Sequence, residues 1–247
     1  QRNRKGVTLD DAKRLLKSRP YFAAQMVAAG DADGFLGGIT RHYPDVLRPC
    51  LQIIGKDSDA HCLVGCYMMS VKGKLMFLAD ATVNIYPDSR TLAEIAVQTS
   101  KVAKRFGLKP KVAMLSFSNF GSSRGQRSDR IEDAINIARE IDYDLIIDGP
   151  MQADTALDIS VQEQFEFMVL EGSANVLICP NLASANIAYK LLQKLADAEM
   201  TGPILEGLSK PVQLLARNDG VRDIVHLAAI CAQDAIRSIP NQKTLEL

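Results

Sequence analysis

The chain has no excess of charge of either sign: 29 Lys and Arg stand against 29 Asp and Glu, a formal net charge of zero. A protein that grips nucleic acid electrostatically carries a basic excess, so no nucleic-acid partner is expected. An anionic small ligand is still allowed, because it needs only local Arg placement. No apolar run approaches the roughly 18 residues of a membrane span, and no secretory signal pattern opens the chain. Neither an internal repeat nor a low-complexity linker is present. There is no Gly-x-Gly-x-x-Gly dinucleotide loop and no P-loop ending in Gly-Lys-Ser/Thr. Cysteines are few and odd in number: Cys50, Cys62, Cys66, Cys179 and Cys231. They sit mostly in apolar runs and read as reduced, buried thiols of a cytoplasmic protein. His61, Cys62 and Cys66 imitate a metal cluster, but 62–66 reads as strand and no second ligand pair follows, so no metal site is expected.

What is there suits one large α/β domain or two lobes sharing a core: 247 residues, 47% hydrophobic and 23% charged. The first residue is Gln1, followed by Arg2, Arg4 and Lys5, which reads as a part cut from a longer polypeptide. Thr8, three residues before Asp11, signals a helix N-terminus. Helices are expected over 8–18, 21–29 (ending at Gly30), 45–54, 91–106, 129–141, 182–198 and 221–236, with an interrupted one over 154–170. Strands are expected over 32–38, 62–71, 74–81, 112–117, 145–147, 175–179, 204–205 and 212–215. Lys72-Gly73 signals a hairpin, and Asp148-Gly149-Pro150 and Gly202-Pro203 signal turns. Residues 240–247 are expected to fray. Strands alternating with helices argue for a largely parallel sheet covered on both faces.

Four segments carry candidate chemistry. The apolar run 212–215 delivers Ala216 and Arg217 to a polar loop, with Asp223 six residues after Arg217 where a helix begins. A fixed cation and a carboxylate at the C-terminal edge of a strand suit a ligand there. The plainer alternative is a loop Arg and an Asp that favours a first helical turn. The segment from Leu115 to Gly125 opens a strand into a loop of hydroxyls and glycines, among them Ser116, Ser118, Gly121 and Ser122, which offers donors to phosphate or carboxylate. Asp148 to Ala156 holds Gln152 and Asp154 between a strand end and a helix start; turn plus N-cap is its physical reading. Arg48 falls on the buried-looking side of its helix, where a guanidinium needs an anion, internal or bound.

Taken together these segments resemble one family. GPILEGLSKPV (202–212) is similar to the C-terminal signature of the phosphate acetyltransferases, and equally to the phosphate-acetyltransferase-like domain fused behind the catalytic part of large bacterial malic enzymes. LSFS…GS (115–122) and DG..QAD.A (148–156) are further motifs of that family, and the likeness runs from Lys5-Gly6 to Asp223. It implies a two-lobed isocitrate/isopropylmalate-dehydrogenase-like fold with a mostly parallel sheet. Residues 1–60 and 204–247 would form one lobe and 61–203 the other, with the ligand in the cleft between. By the resemblance, Asp223 is the base, Arg217 holds the thioester oxygen, and Arg48 and Arg2 hold phosphate. Ser116, Ser118, Gly121, Ser122, Gln152 and Asp154 complete the ligand site.

Two departures stand out. Ala216 replaces the Ser that usually precedes the Arg, and His42-Tyr43 replace a usual Ser-Thr pair. With the form QADTAL they lean toward the malic-enzyme branch. The resemblance then implies a domain that binds acetyl-CoA or CoA and regulates, with Arg217 and Asp223 as relics of catalysis. Malate decarboxylation, NADP and a divalent metal would belong to a catalytic part of the same polypeptide. A cytoplasmic homodimer is implied, of higher order in the full-length enzyme. The alternatives are a working phosphate acetyltransferase and a ligand-free dimerisation domain.

Overall fold

The computed structural model describes residues 2–122, 126–217 and 219–239. In chain order its elements are α1 (Leu9–Leu15), α2 (Arg19–Ala29), β1 (Phe35–Gly38), α3 (Tyr43–Ile53), β2 (Val64–Val71), β3 (Lys74–Ala79), α4 (Ser89–Arg105), β4 (Val112–Leu115) and α5 (Gln126–Ile141). Then follow β5 (Ile147–Met151), α6 (Ala153–Leu157), α7 (Ile159–Gln162), β6 (Val176–Ile178), α8 (Leu182–Leu195), β7 (Glu199–Glu206), β8 (Val212–Leu215) and α9 (Val221–Arg237). The 240–247 tail lies outside the described residues. Among the described residues no helix is long and apolar enough to cross a membrane.

Local chemistry accounts for most boundaries. Thr8 and Asp11 close a capping box on α1, and Gly30 ends α2 in the left-handed conformation. Lys72 and Gly73 both take positive φ, which makes the two-residue hairpin between β2 and β3.

The chain divides into two compact units, one made of the residues up to Asp59 and again from Leu208, the other of Ala60–Gly207. In the first, β1 and β8 pair in parallel beside α2, α3 and α9. Phe35, Val46, Cys50, Leu214 and Leu227 are buried there.

The second unit holds a six-stranded sheet in the order β5-β4-β6-β3-β2-β7. The first four strands run parallel, and β2 is antiparallel to both its neighbours. The protein is therefore an α/β fold with a mostly parallel sheet. The face carrying Leu78, Ala113 and Leu177 packs under Ala156 of α6 and Ala185 of α8. The other face takes α4, beyond whose end the Phe106 ring lies 5.7 Å from that of Phe77; α5 packs on α4.

Three expectations are corrected. Asp148-Gly149-Pro150 and Gly202-Pro203 are not turns; they lie inside β5 and β7. These are the two edge strands, where a missing N–H is tolerated. Each glycine lies beside a register shift in its pairing, which is how a glycine within a strand often serves. Ile204 and Leu205, expected in the first lobe, pair with Cys66 and Gly65 of β2. Arg48 is exposed: α3 buries Val46, Pro49 and Cys50, and helical spacing turns residue 48 to the other side.

Candidate functional site

In the second unit, β4 leads outward to β5 while β6 leads by α8 the opposite way to β7. The C-terminal ends of β4 and β6 are thus a topological switch point, where open α/β sheets hold ligands. The loop after β4 is laced to β5. The Ser116 and Phe120 amides each donate to it, at 2.7 Å, to the Met151 and Pro150 carbonyls. The Asn119 and Gln152 side chains close the lacing: Gln152 N–H donates to Asn119 Oδ1 at 2.7 Å, and Gln152 Nε2 donates to the Phe117 carbonyl at 2.8 Å. Phe120 and Gly121 both take positive φ. The Phe120 ring is wedged against Phe165 and Phe167, with centroids 5.0 and 4.9 Å away.

Ser116, Ser118, Gly121, Ser122, Gln152 and Asp154 are therefore brought to one end of the sheet. Asp154 and Ser122 are exposed. Ser118 differs: it is 7% exposed, and its Oγ is buried without a hydrogen-bond partner. Thr155 Oγ1, on α6, is likewise buried and unpaired. Buried hydroxyls are nearly always satisfied, and both of these unpaired ones follow strand ends on this side of the sheet.

The same edge holds residues that the sequence reading passed over. Asp80, directly after β3, is 2% exposed. Its carboxylate accepts the main-chain N–H groups of Thr82, Val83 and Asn84 and the Asn84 amide. Burial pushes the Asp80 carboxyl up, against the pull of these donors. Arg130 of α5 donates to the Pro87 and Pro180 carbonyls at 3.0 and 2.9 Å, tying together the loops after β3 and β6. An Asp closing an apolar run before Thr-Val-Asn was a visible Asx-turn signal; nothing local marked Arg130.

The other candidates lie on the first unit. Arg217 is exposed on the loop after β8. Among the described residues no ion pair engages Arg2, Arg48 or Arg217. Arg2, next to a short 3-10 turn at Asn3–Lys5, has its Nε buried without a partner. Asp223 stands in the first turn of α9 and accepts the Gly220 N–H at 2.9 Å, so the plain capping role is filled. Asp219, also passed over, accepts the Ala216 N–H at 2.6 Å. Burial, with the Asp223 charge second among the raising causes, pushes the Asp219 carboxyl up.

The cysteines are free thiols, and burial raises Cys50 and Cys179 to about 12. Among the described residues no group of His, Cys, Asp and Glu is placed to hold a metal ion.

Residues 1–232 match the family described as phosphate acetyl/butaryl transferase, and the chain belongs to that family. It is 41% identical over 233 residues to an NADP-dependent malic enzyme of Rhizobium meliloti, a match over 94% of this chain but 30% of that protein. It is 40% identical to a phosphate acetyltransferase of Corynebacterium glutamicum, over 95% of this chain and 71% of that one. A phosphotransacetylase structure from Streptococcus pyogenes superposes with a TM-score of 0.90 at 39% identity, over 95% of this chain and 73% of that chain.

Proposed function

We propose that this chain is an acetyl-CoA-binding regulatory domain of a malic enzyme, and that it binds the thioester without transferring its acetyl group. Residue 216 carries the reading. Moving acetyl between CoA and phosphate needs a base for the thiol and donors for the charge that develops on oxygen. Arg217 is exposed and outside any ion pair among the described residues, and the buried Ser118 hydroxyl has no partner, which supports binding. Residue 216 is Ala and has no hydroxyl. Losing one such donor costs roughly 10²–10³ in rate. Asp223, the base by resemblance, is occupied as a helix cap. The likeness to a malic enzyme of which this chain spans 30% supports a fused catalytic part, to which NADP, divalent metal and malate chemistry belong. Acetyl-CoA regulates that part by binding one arrangement of a homo-oligomer better than another.

A working phosphate acetyltransferase is the second reading, favoured by the 40% identity to such an enzyme over 71% of its length. Calorimetric titration with acetyl-CoA, run beside a turnover assay with acetyl phosphate and CoA, separates the two. Micromolar binding without turnover is expected; turnover would replace the first reading by the second. Arg217→Ala should weaken acetyl-CoA binding about tenfold or more, since a hydrogen bond to a charged group is lost. An unchanged affinity would place the ligand elsewhere.

A further inference from the structure

We infer that Asp219 is a specificity-determining residue: an internal anion that takes the last donor of residue 216 and turns phosphate away from the loop that carries Arg217. This rests on the proposed ligand site around Arg217 and adds a reason why the site would hold a thioester yet refuse the second substrate of acetyl transfer. Ala216 has only its main-chain N–H to offer, and that hydrogen goes to Asp219 Oδ2 at 2.6 Å. The Asp219 N–H returns to the Ala216 carbonyl at 3.3 Å, so residues 216 and 219 are bonded twice and the carboxylate is held in place by the turn it closes. Asp223 of α9, bonded to the Gly220 N–H, adds a second negative charge to the field at Asp219.

An incoming phosphate would therefore meet the Asp219 carboxylate at the strand end and find the strand-end N–H already taken. Like charges repel, and a filled donor offers nothing in return. An acetyl thioester is uncharged at its reacting end, with its phosphates a pantetheine length away, so the same turn does not repel it. Sequence alone shows Ala216; that Asp219 takes the remaining N–H follows only from the folded loop.

The test is direct titration of the full chain with inorganic phosphate, for the natural protein, Asp219→Asn and Asp219→Ala. Asp219→Asn keeps an acceptor for the Ala216 N–H and removes the charge; Asp219→Ala also frees the N–H. Phosphate should bind Asp219→Ala about tenfold or more tightly than the natural protein, the worth of one charge-assisted hydrogen bond, with Asp219→Asn between them. Equal phosphate affinity in all three would overturn the inference, and if Asp219→Ala does not fold, Asp219→Asn decides alone. Because the titration uses no acetyl-CoA, it is separate from the parent reading, which fails instead if acetyl-CoA does not bind or is indifferent to Arg217→Ala.

Discussion

Asp80 and Asp88 stand eight residues apart around one loop, yet their surroundings push their carboxyls in opposite directions. Asp88 is exposed and caps α4, accepting the Thr91 N–H at 2.8 Å; bonding from Thr91 holds it below the usual carboxylate range. Its folded value lies under the unfolded one, so its contribution is present above the usual range and lost as pH falls through the depressed value. Asp88→Ala should lower stability by about 1 kcal/mol at neutral pH. Urea unfolding repeated in acid should show the gap closing; a gap independent of pH would remove the charge from this account. Asp80 is buried and pushed up, so raising pH through its elevated value costs the folded state. Asp80→Ala strips three main-chain N–H groups of their acceptor and should cost about 3 kcal/mol, read as a lowered Tm. At this scale the sequence could be read for residue type and not for surroundings. Asp223 was visible as a first-turn carboxylate, whereas Arg48 was misplaced because only a residue or two along a helix separates a buried face from an exposed one.

At the scale of elements, the caps at Thr8 and Gly30, the Lys72-Gly73 hairpin and the helix–strand alternation were read correctly, because their causes lie within a few residues, whereas the N-cap read into 148–156 falls on Gln152 rather than Asp154. The two Gly-Pro pairs were misread for the opposite reason. Glycine and proline mark a turn and a bulged edge strand alike, and only the strand order, with β5 and β7 outermost, tells which. The structure makes Gly202 costly to replace: its φ is +140°, and an added Cβ would lie 2.9 Å from the Cys66 carbonyl oxygen. Gly202→Ala should lower stability by about 2 kcal/mol, and a neutral substitution in thermal unfolding would refute the bulge as its reason. The loop after β4 shows the same division. Its hydroxyls and glycines were legible as a donor loop, but its lacing to β5 by Asn119 and Gln152 joins residues 33 apart in the chain.

For the whole molecule, the unit Ala60–Gly207 is one continuous stretch with its own buried core of Phe77, Leu92, Ile95, Met114, Ile147 and Ile178. Expressed alone, it should unfold cooperatively in urea. The other unit is assembled from two separated stretches, so neither piece should do so by itself; a non-cooperative Ala60–Gly207 fragment would show that its core depends on the rest of the chain. The amino-acid order alone settled the α/β class, most element positions, the family likeness and the alanine at 216, since pattern, caps and motifs are properties of neighbouring residues. Folding was needed to decide which strands are edges, that Asp80 and Arg130 hold the loops at the C-terminal end of the sheet, that Ser118 is left buried with an unspent hydroxyl, and that Asp219 holds the Ala216 N–H. Those depend on where a carbonyl or a carboxylate comes to rest against a distant or turned-back segment, and a linear pattern carries no distance.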